Sequence, residues 1–343
     1  MYNSTYGEVL QDTKNGKRKP WKEKKMKSLT LAASLKRLGY TGRAKRVEDC
    51  GNILEFLRDL ATGLLRLQKT YFCKVPLCPM CMWRKSLKIS YQVSRVMDIT
   101  FSRYPDLLPL FLTLTLKNCT PDDLKATLDV LLSGWREFER GRKVKLLVKA
   151  YFRSVEITYD KDEIISKTRY NRAKKYYDRL GIKPGDKNPN FDTFHPHIHA
   201  IILVDKSYFD NGYLETWEWL TIWKQAAKLN YDPIGDIRSC RPEGKQRKEI
   251  AEVAKYTLKD TEFLDKQDEP KMDRLVGILS EALFRRRLFE FGGVMRDIAK
   301  EIDAEKPDEG DLVHINDQTI RADMATQVER YRWRFGINNY VRF

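Results

Sequence analysis

Histidine is scarce in this 343-residue chain, which has only four, and acidic residues are too few to balance the basic ones. Against 64 Lys and Arg stand 48 Asp and Glu, a formal net charge of +16. So large an excess points to a polyanionic partner, nucleic acid before anionic membrane. Long apolar runs are missing too: none reaches about 18 residues, which excludes a bilayer-spanning helix. The opening residues are polar and lysine-rich, without the apolar stretch of an export leader, so a cytoplasmic setting is expected. In that reducing compartment the six cysteines are expected to ligate metal rather than form disulfides. The hydrophobic fraction of 42% is still enough for a sizeable core.

Three of the four histidines occupy one stretch, Phe194-His195-Pro196-His197-Ile198-His199, followed by the apolar run Ala200 to Val204. The run argues for a strand, in which residues i, i+2 and i+4 point to one face. His195, His197 and His199 can then converge on one point while Ile198 packs behind. Neutral imidazoles on one face of a rigid strand make a divalent-metal half-site. The alternative is a strand bearing three histidines and no ligand; the concentration of three in one stretch favours metal.

The second cluster is Cys50, Cys73, Cys78 and Cys81. Cys78-Pro79-Met80-Cys81 is a CxxC knuckle, whose turn lets two thiolates grip one tetrahedral zinc. Cys73 and Cys50 can complete a closed structural site with no open position for substrate. The flanking Arg84 and Lys85 are basic and are read as DNA-facing. Cys119 and Cys240 have no partner at useful spacing.

A third stretch, Glu252-Val253-Ala254-Lys255-Tyr256-Thr257-Leu258-Lys259, carries chemistry if helical. Glu252 and Tyr256 are then i, i+4 neighbours, and Lys259 lies one turn further along. A tyrosine hydroxyl can attack a phosphodiester, but its ordinary pKa near 10 means that it needs help. A divalent metal on the phosphate and a nearby lysine favour the phenolate, and Glu252 is suited to activate a water. Lys255 is a candidate phosphate contact.

The rest of the chain organises these stretches. Residues 1–46 read as a basic flexible arm with one short helix around Leu29 to Leu38, and 47–90 as a zinc-binding module with four cysteine ligands. Residues 91–262 read as the catalytic domain, with an insert at 160–190, and 263–343 as a C-terminal helical region. A helix is expected from about Met82 to Ser102, and a half-buried strand over Leu110 to Leu116. Thr120-Pro121-Asp122-Asp123 reads as a helix start running to about Arg140, with Thr120 as N-cap and Pro121 at N1. A second strand spans Leu146 to Tyr159. A helix over Tyr213 to Leu229 puts Trp219 and Trp223 in the core, and another is expected from Arg247 to about Asp260. A last helical region, Asp273 to about Ile302, is broken at Gly292-Gly293. The Arg285-Arg286-Arg287 run is a candidate phosphate contact or a solvated face. The aromatic, basic tail from Tyr331 to Phe343 takes no assignment.

These elements, in this order, resemble the HUH endonucleases, specifically the replication initiators of small rolling-circle plasmids. Phe111-Leu112-Thr113-Leu114-Thr115 is similar to their first motif, His195-Pro196-His197-Ile198-His199 to their second, and Glu252 to Lys259 to their tyrosine motif. The stretch from Cys73 to Arg84 is similar to their cysteine region. The resemblance implies an α+β fold: a central antiparallel sheet flanked by helices, with the first two motif strands adjacent at its centre. His197 and His199 would hold Mg²⁺ or Mn²⁺, with Glu156 favoured over His195 as third ligand. Tyr256 would nick one strand of the plasmid's double-strand origin, leaving a 5′-phosphotyrosyl bond and a free 3′-OH. No second tyrosine is found near Tyr256 on its helical face, so Glu252 fits the water-activating role of the single-tyrosine initiators. A host helicase and polymerase are implied partners; a homodimer is neither required nor excluded. The alternatives are an HUH transposase or relaxase, and a non-catalytic zinc-containing DNA-binding protein.

Overall fold

The computed structural model describes residues 7–14, 16–240, 260–304, 310–315 and 325–343. In chain order come strands β1 (Thr13–Lys14) and β2 (Lys17–Arg18), helices α1 (Trp21–Arg37) and α2 (Thr41–Asp49), and the hairpin β3 (Ile53–Asp59) and β4 (Leu65–Lys69). Helix α3 (Pro79–Arg103) leads to β5 (Leu107–Thr115), α4 (Leu124–Arg140), α5 (Arg142–Leu147) and β6 (Val148–Asp160). Two short helices, α6 (Lys167–Arg172) and α7 (Lys174–Arg179), fill the insert before β7 (Thr193–Asp205), α8 (Thr216–Ala226) and β8 (Gly235–Ser239). After 241–259 come α9 (Glu269–Ala282), β9 (Phe289–Gly293), α10 (Val294–Glu301), β10 (Thr326–Arg334) and β11 (Asn339–Arg342). The fold is α+β, with antiparallel sheets flanked by helices. Among the described residues no helix is long and apolar enough to cross a membrane.

The chain divides into two units. One comprises Met1–Val96, Leu264–Ser280 and Ile302–Phe343; the other comprises Met97–Phe263 and Glu281–Glu301. In the first, a four-stranded sheet of order β11-β10-β3-β4 buries Leu54, Phe56, Leu67, Tyr331 and Trp333 on one face. Trp21 packs edge-on against Phe56 and Trp83, with ring centroids 5.8 and 4.7 Å away, and its indole N–H donates to Asp12 at 2.8 Å.

Two expectations are corrected here. The basic arm is folded from Trp21 onward, because α1 turns Trp21, Lys25, Ser28, Leu31 and Leu35 inward along one helical face. Lys25 is fully buried, and its ammonium donates to the carbonyls of Glu48 and Cys50 at 2.6 and 2.8 Å. A run rich in lysine thus hides a core position, the charge being satisfied by carbonyl dipoles. The C-terminal region is not wholly helical either: β10 and β11 complete the first unit's sheet, and β9 joins the second unit's sheet.

The second unit is built on a five-stranded antiparallel sheet of order β8-β5-β7-β6-β9. The two motif strands, β5 and β7, are adjacent, and β7 is central. Helices α4 and α8 cover the face that carries Tyr151: Trp135 meets Tyr151 at 5.1 Å, and Phe138 meets Trp219 and Trp223 at 6.0 and 6.2 Å. Both α8 tryptophans are core, and burying a side chain such as Phe138 contributes about 1.5–3 kcal/mol. Helix α4 starts later than Thr120 suggests. Asp123 N–H and the Thr120 hydroxyl bond to each other's residues in a turn, and the helix begins at Leu124.

Gly292 and Gly293 do not break a helix; they lie on β9, at the sheet edge beside β6. A Cβ on Gly292 would lie 2.0 Å from the Tyr151 ring, and one on Gly293 would lie 2.0 Å from the Lys149 carbonyl oxygen. Glycine is therefore a packing requirement at both positions.

Candidate active site and structural metal centre

Register fixes the candidate active site. On the β6–β7 ladder Glu156 stands opposite His197, Ser154 opposite His199, and Thr158 opposite His195. On the β5–β7 ladder Thr113 stands opposite His199 and Thr115 opposite His197. Directly paired residues share a sheet face, and the period of two puts these side chains on the face opposite α4 and α8. Glu156 Oε2 lies 3.0 Å from His199 Nε2 and 3.4 Å from His197 Nε2. Two ligands at about 2.1 Å from an octahedral ion lie about 3.0 Å apart at right angles. These separations therefore fit three adjacent corners around one cation, so the donor set suits a divalent metal.

His197 and His199 are buried. Burial would raise the Glu156 carboxyl, but hydrogen bonding to His197 and His199 outweighs it and holds the group well below the usual carboxylate range. The glutamate is therefore ionised and ready to ligate. His195 stands outside the group: the ligand atoms that converge are those of Glu156, His197 and His199. Burial, reinforced by neighbouring His197, lowers its pKa to about 4, so its ring is neutral.

His197 and His199 are each oriented through the other ring nitrogen. His199 Nδ1 lies 3.1 Å from Thr113 Oγ1, and His197 Nδ1 lies 3.1 Å from the His195 carbonyl oxygen. With Nδ1 protonated and donating in each case, both Nε2 lone pairs are left for a metal. The Phe111 ring is 5.5 Å from that of His199, and the Arg238 guanidinium lies 4.6 Å over Phe111. The hydrogen bond of Thr113 to His199 and the stacking of Arg238 on Phe111 were not evident from the sequence, where the FLTLT alternation was the available signal for Thr113. Glu252, Lys255, Tyr256 and Lys259, with the helix expected around them, fall in 241–259, outside the described residues.

The first unit holds the second donor group. Cys50, Cys73, Cys78 and Cys81 are all buried, with their sulfurs within 4.8 Å of one another. Cys81 Sγ is 3.5 Å from Cys50 Sγ and 3.6 Å from Cys73 Sγ. Tetrahedral bonds of about 2.3 Å place sulfurs about 3.8 Å apart, so the cage is close to the dimensions of a zinc site. Backbone N–H groups of Cys73, Lys74 and Val75 point at Cys50, Cys81 and Cys73 sulfurs at 3.3–3.5 Å, as thiolate ligands require.

Arg84 is not DNA-facing. It is buried beneath the Trp21, Phe72 and Trp83 rings and donates to the carbonyls of Leu312 and Val313 at 2.9 and 2.8 Å. Burial lowers its pKa to about 10, which leaves it charged but inward. Lys85, next on α3, is half-buried. Arg286 is held by Asp129 and by the Lys125 carbonyl oxygen.

The sequence matches the replication protein family over residues 64–341. The chain belongs to that family. It is 34% identical to a "Protein rep" of Bacillus amyloliquefaciens, with 99% of each chain covered. It is 35% identical to a "Protein rep" of Streptococcus pneumoniae, with 97% of this chain and 94% of the relative covered. A "Protein rep" of Lactiplantibacillus plantarum is 29% identical over 97% and 98% of the two chains. No solved structure matches the chain. The resemblance to rolling-circle plasmid initiators drawn from the motifs is therefore supported by the family match and by these relatives. The matched region includes Glu156, His197, His199 and three of the four clustered cysteines.

Proposed function

We propose that this protein starts rolling-circle replication of a plasmid by nicking one strand at the double-strand origin. The observation that carries the reading is the convergence of Glu156 Oε2 with the Nε2 atoms of His197 and His199 on one sheet face. A Mg²⁺ or Mn²⁺ held by these three residues would polarise the scissile phosphate. The Tyr256 oxygen attacks phosphorus; the new bond is P–O(Tyr256), and the bond that breaks is that to the 3′ oxygen. The tyrosine proton is lost to solvent, Lys259 favours the phenolate, and the leaving oxygen takes up a proton as the 3′-OH that a polymerase extends. Glu252 accepts a proton from water in the later cleavage that ends the cycle. Cys50, Cys73, Cys78 and Cys81 would hold a structural Zn²⁺, tying the end of α2, the segment after β4 and the start of α3 together with no open position for substrate.

The test is a single-stranded oligonucleotide carrying the origin, incubated with the protein and Mn²⁺ and resolved on a denaturing gel. A metal-dependent covalent band, lost in Tyr256→Phe and retained but not released in Glu252→Ala, is the expected result. No adduct with any origin or metal would favour a non-catalytic DNA-binding protein. Cleavage of transposon or transfer-origin ends in preference to replication origins would favour a transposase or relaxase.

A further inference from the structure

The sheet of the first unit has two faces of opposite character. The inner face holds its core. On the outer face the ladder aligns Arg330 with Glu55 and Lys69, and Val328 with Leu57 and Arg66. Arg332 and Arg334 follow on the same side of β10, where the burial pattern alternates strictly from Glu329 onward. Five cations therefore share this face with two carboxylates. Glu55 is paired with Arg330 at 2.7 Å, and Asp59 is engaged in the β3–β4 turn by Ala61 and Thr62. Ile53 is 43%, Val328 50% and Phe343 52% exposed, so the face is open to solvent along β3 and β10, while Val341, opposite Arg332 on β11, is buried.

Alternate residues of a strand recur about every 6.8 Å. Arg330, Arg332 and Arg334 thus form a line of guanidinium stems with a spacing comparable to that of successive phosphates along one strand. Sequence-tolerant binding of single strands relies on rows of rings for base stacking. The outward-facing positions of β3, β4, β10 and β11 carry no ring, and Phe343, just beyond β11, already lies 4.4 Å beneath the Arg332 guanidinium. The chemistry favours backbone contact over stacking.

We infer that this open sheet face is a duplex-DNA surface that grips the phosphate backbone of the plasmid origin. The inference rests on the reading of the chain as an origin-acting initiator, and it assigns holding of the duplex to a unit other than the one bearing the metal triad. Contacts of this kind set position and affinity and carry no sequence information themselves.

The test uses the full-length protein with R330Q, R332Q and R334Q combined, and a parallel variant with R330K, R332K and R334K. Binding to a duplex origin fragment is followed by fluorescence anisotropy across a salt series, with bound zinc and circular dichroism checking the fold. We expect the slope of log affinity against log salt to fall by about one per arginine neutralised, and the lysine variant to keep most of it. An unchanged slope in the glutamine variant overturns the inference. So does a change in sedimenting mass without a change in slope, which would make this face a protein interface. If the wild type forms the covalent adduct on the single-stranded origin while the glutamine variant binds duplex normally, only this surface falls. If the wild type forms no adduct with any metal, the initiator reading itself falls.

Discussion

Glu156 and His197 are direct cross-strand partners on the β6–β7 ladder, and the same Glu156 oxygen also lies 3.0 Å from His199 Nε2. One carboxylate oxygen thus serves two imidazoles, and its depressed pKa keeps it charged wherever the protein works. We expect Glu156→Gln to weaken Mn²⁺ binding at least about tenfold by calorimetry, since a neutral amide replaces the charged ligand. His195→Ala, which removes a ring outside the converging group, should leave Mn²⁺ affinity within about twofold. Equal losses in both variants would put His195 among the ligands.

Thr113 stands one step removed from the candidate metal site. Its hydroxyl is 3.1 Å from His199 Nδ1 and fixes which nitrogen of that ring faces Glu156. Thr113→Val keeps the shape and removes the acceptor. Losing such an orienting partner typically costs 10–100-fold in metal affinity, and about that loss is expected for Mn²⁺. Thr113→Ser, which restores the hydroxyl, should recover most of it. If valine binds Mn²⁺ like the wild type, the hydrogen bond does not orient the ring.

The four buried cysteines lead to a stoichiometric expectation. Purified protein should carry about one zinc by elemental analysis, and Cys78→Ser should carry much less. Because a structural zinc adds its binding energy to folding, stripping it with chelator should unfold the first unit, visible as loss of near-ultraviolet signal from Trp21 and Trp83. Retention of that signal in metal-free protein would show that the cysteines pack without an ion.

Both donor groups were legible in the sequence because their spacing is local: two residues along a strand for the histidines, and a CxxC turn for the cysteines. Glu156 was favoured over His195 as third ligand only by what the family resemblance implies. What escaped depended on distant partners. Lys25 reads as solvated until the carbonyls of Glu48 and Cys50 are brought to it, and Arg84 reads as a DNA contact until residues 312 and 313 close over it. The strand β10 did carry a signal, the alternation of Arg330, Arg332 and Arg334 with Tyr331 and Trp333. Its partner β3 is far away in the chain, with Arg58 and Glu329 271 positions apart. Local periodicity can propose a strand but not so remote a neighbour.

Gly292 is expected to resist substitution for a steric reason. Tyr151, whose ring a Cβ there would strike, is pinned by Trp135 and by donation of its hydroxyl to Glu139. The ring therefore has little room to give. Gly292→Ala should lower stability by roughly 1–3 kcal/mol in urea unfolding. Gly277→Ala, at a helical glycine with nothing within 4 Å of the added Cβ, should not be destabilised. If the two variants are equally stable, the β9 edge is looser than the packing indicates.

Glu329 gives the pH prediction. It is buried on the inner face of β10, where it accepts from Arg58 Nε and Nη2 at 2.6 and 3.0 Å and from the Tyr331 hydroxyl at 2.8 Å. Hydrogen bonding to Arg58 outweighs the opposing effect of burial and holds the carboxyl below its ordinary value. A carboxylate whose folded pKa lies below the unfolded value of about 4.3 contributes stability that is present above that pH. The contribution is lost as pH falls through the folded pKa. Glu329→Gln should therefore be less stable at neutral pH by about 1–3 kcal/mol, because Arg58, partly exposed and still bonded to the Gly63 carbonyl, loses its carboxylate partner. Its stability should also fall less steeply than that of wild type as the pH is lowered below about 4.3, the unfolded value. Urea midpoints measured across that acid range decide it. Parallel curves for the two proteins would mean that other carboxylates set the acid limit of the first unit.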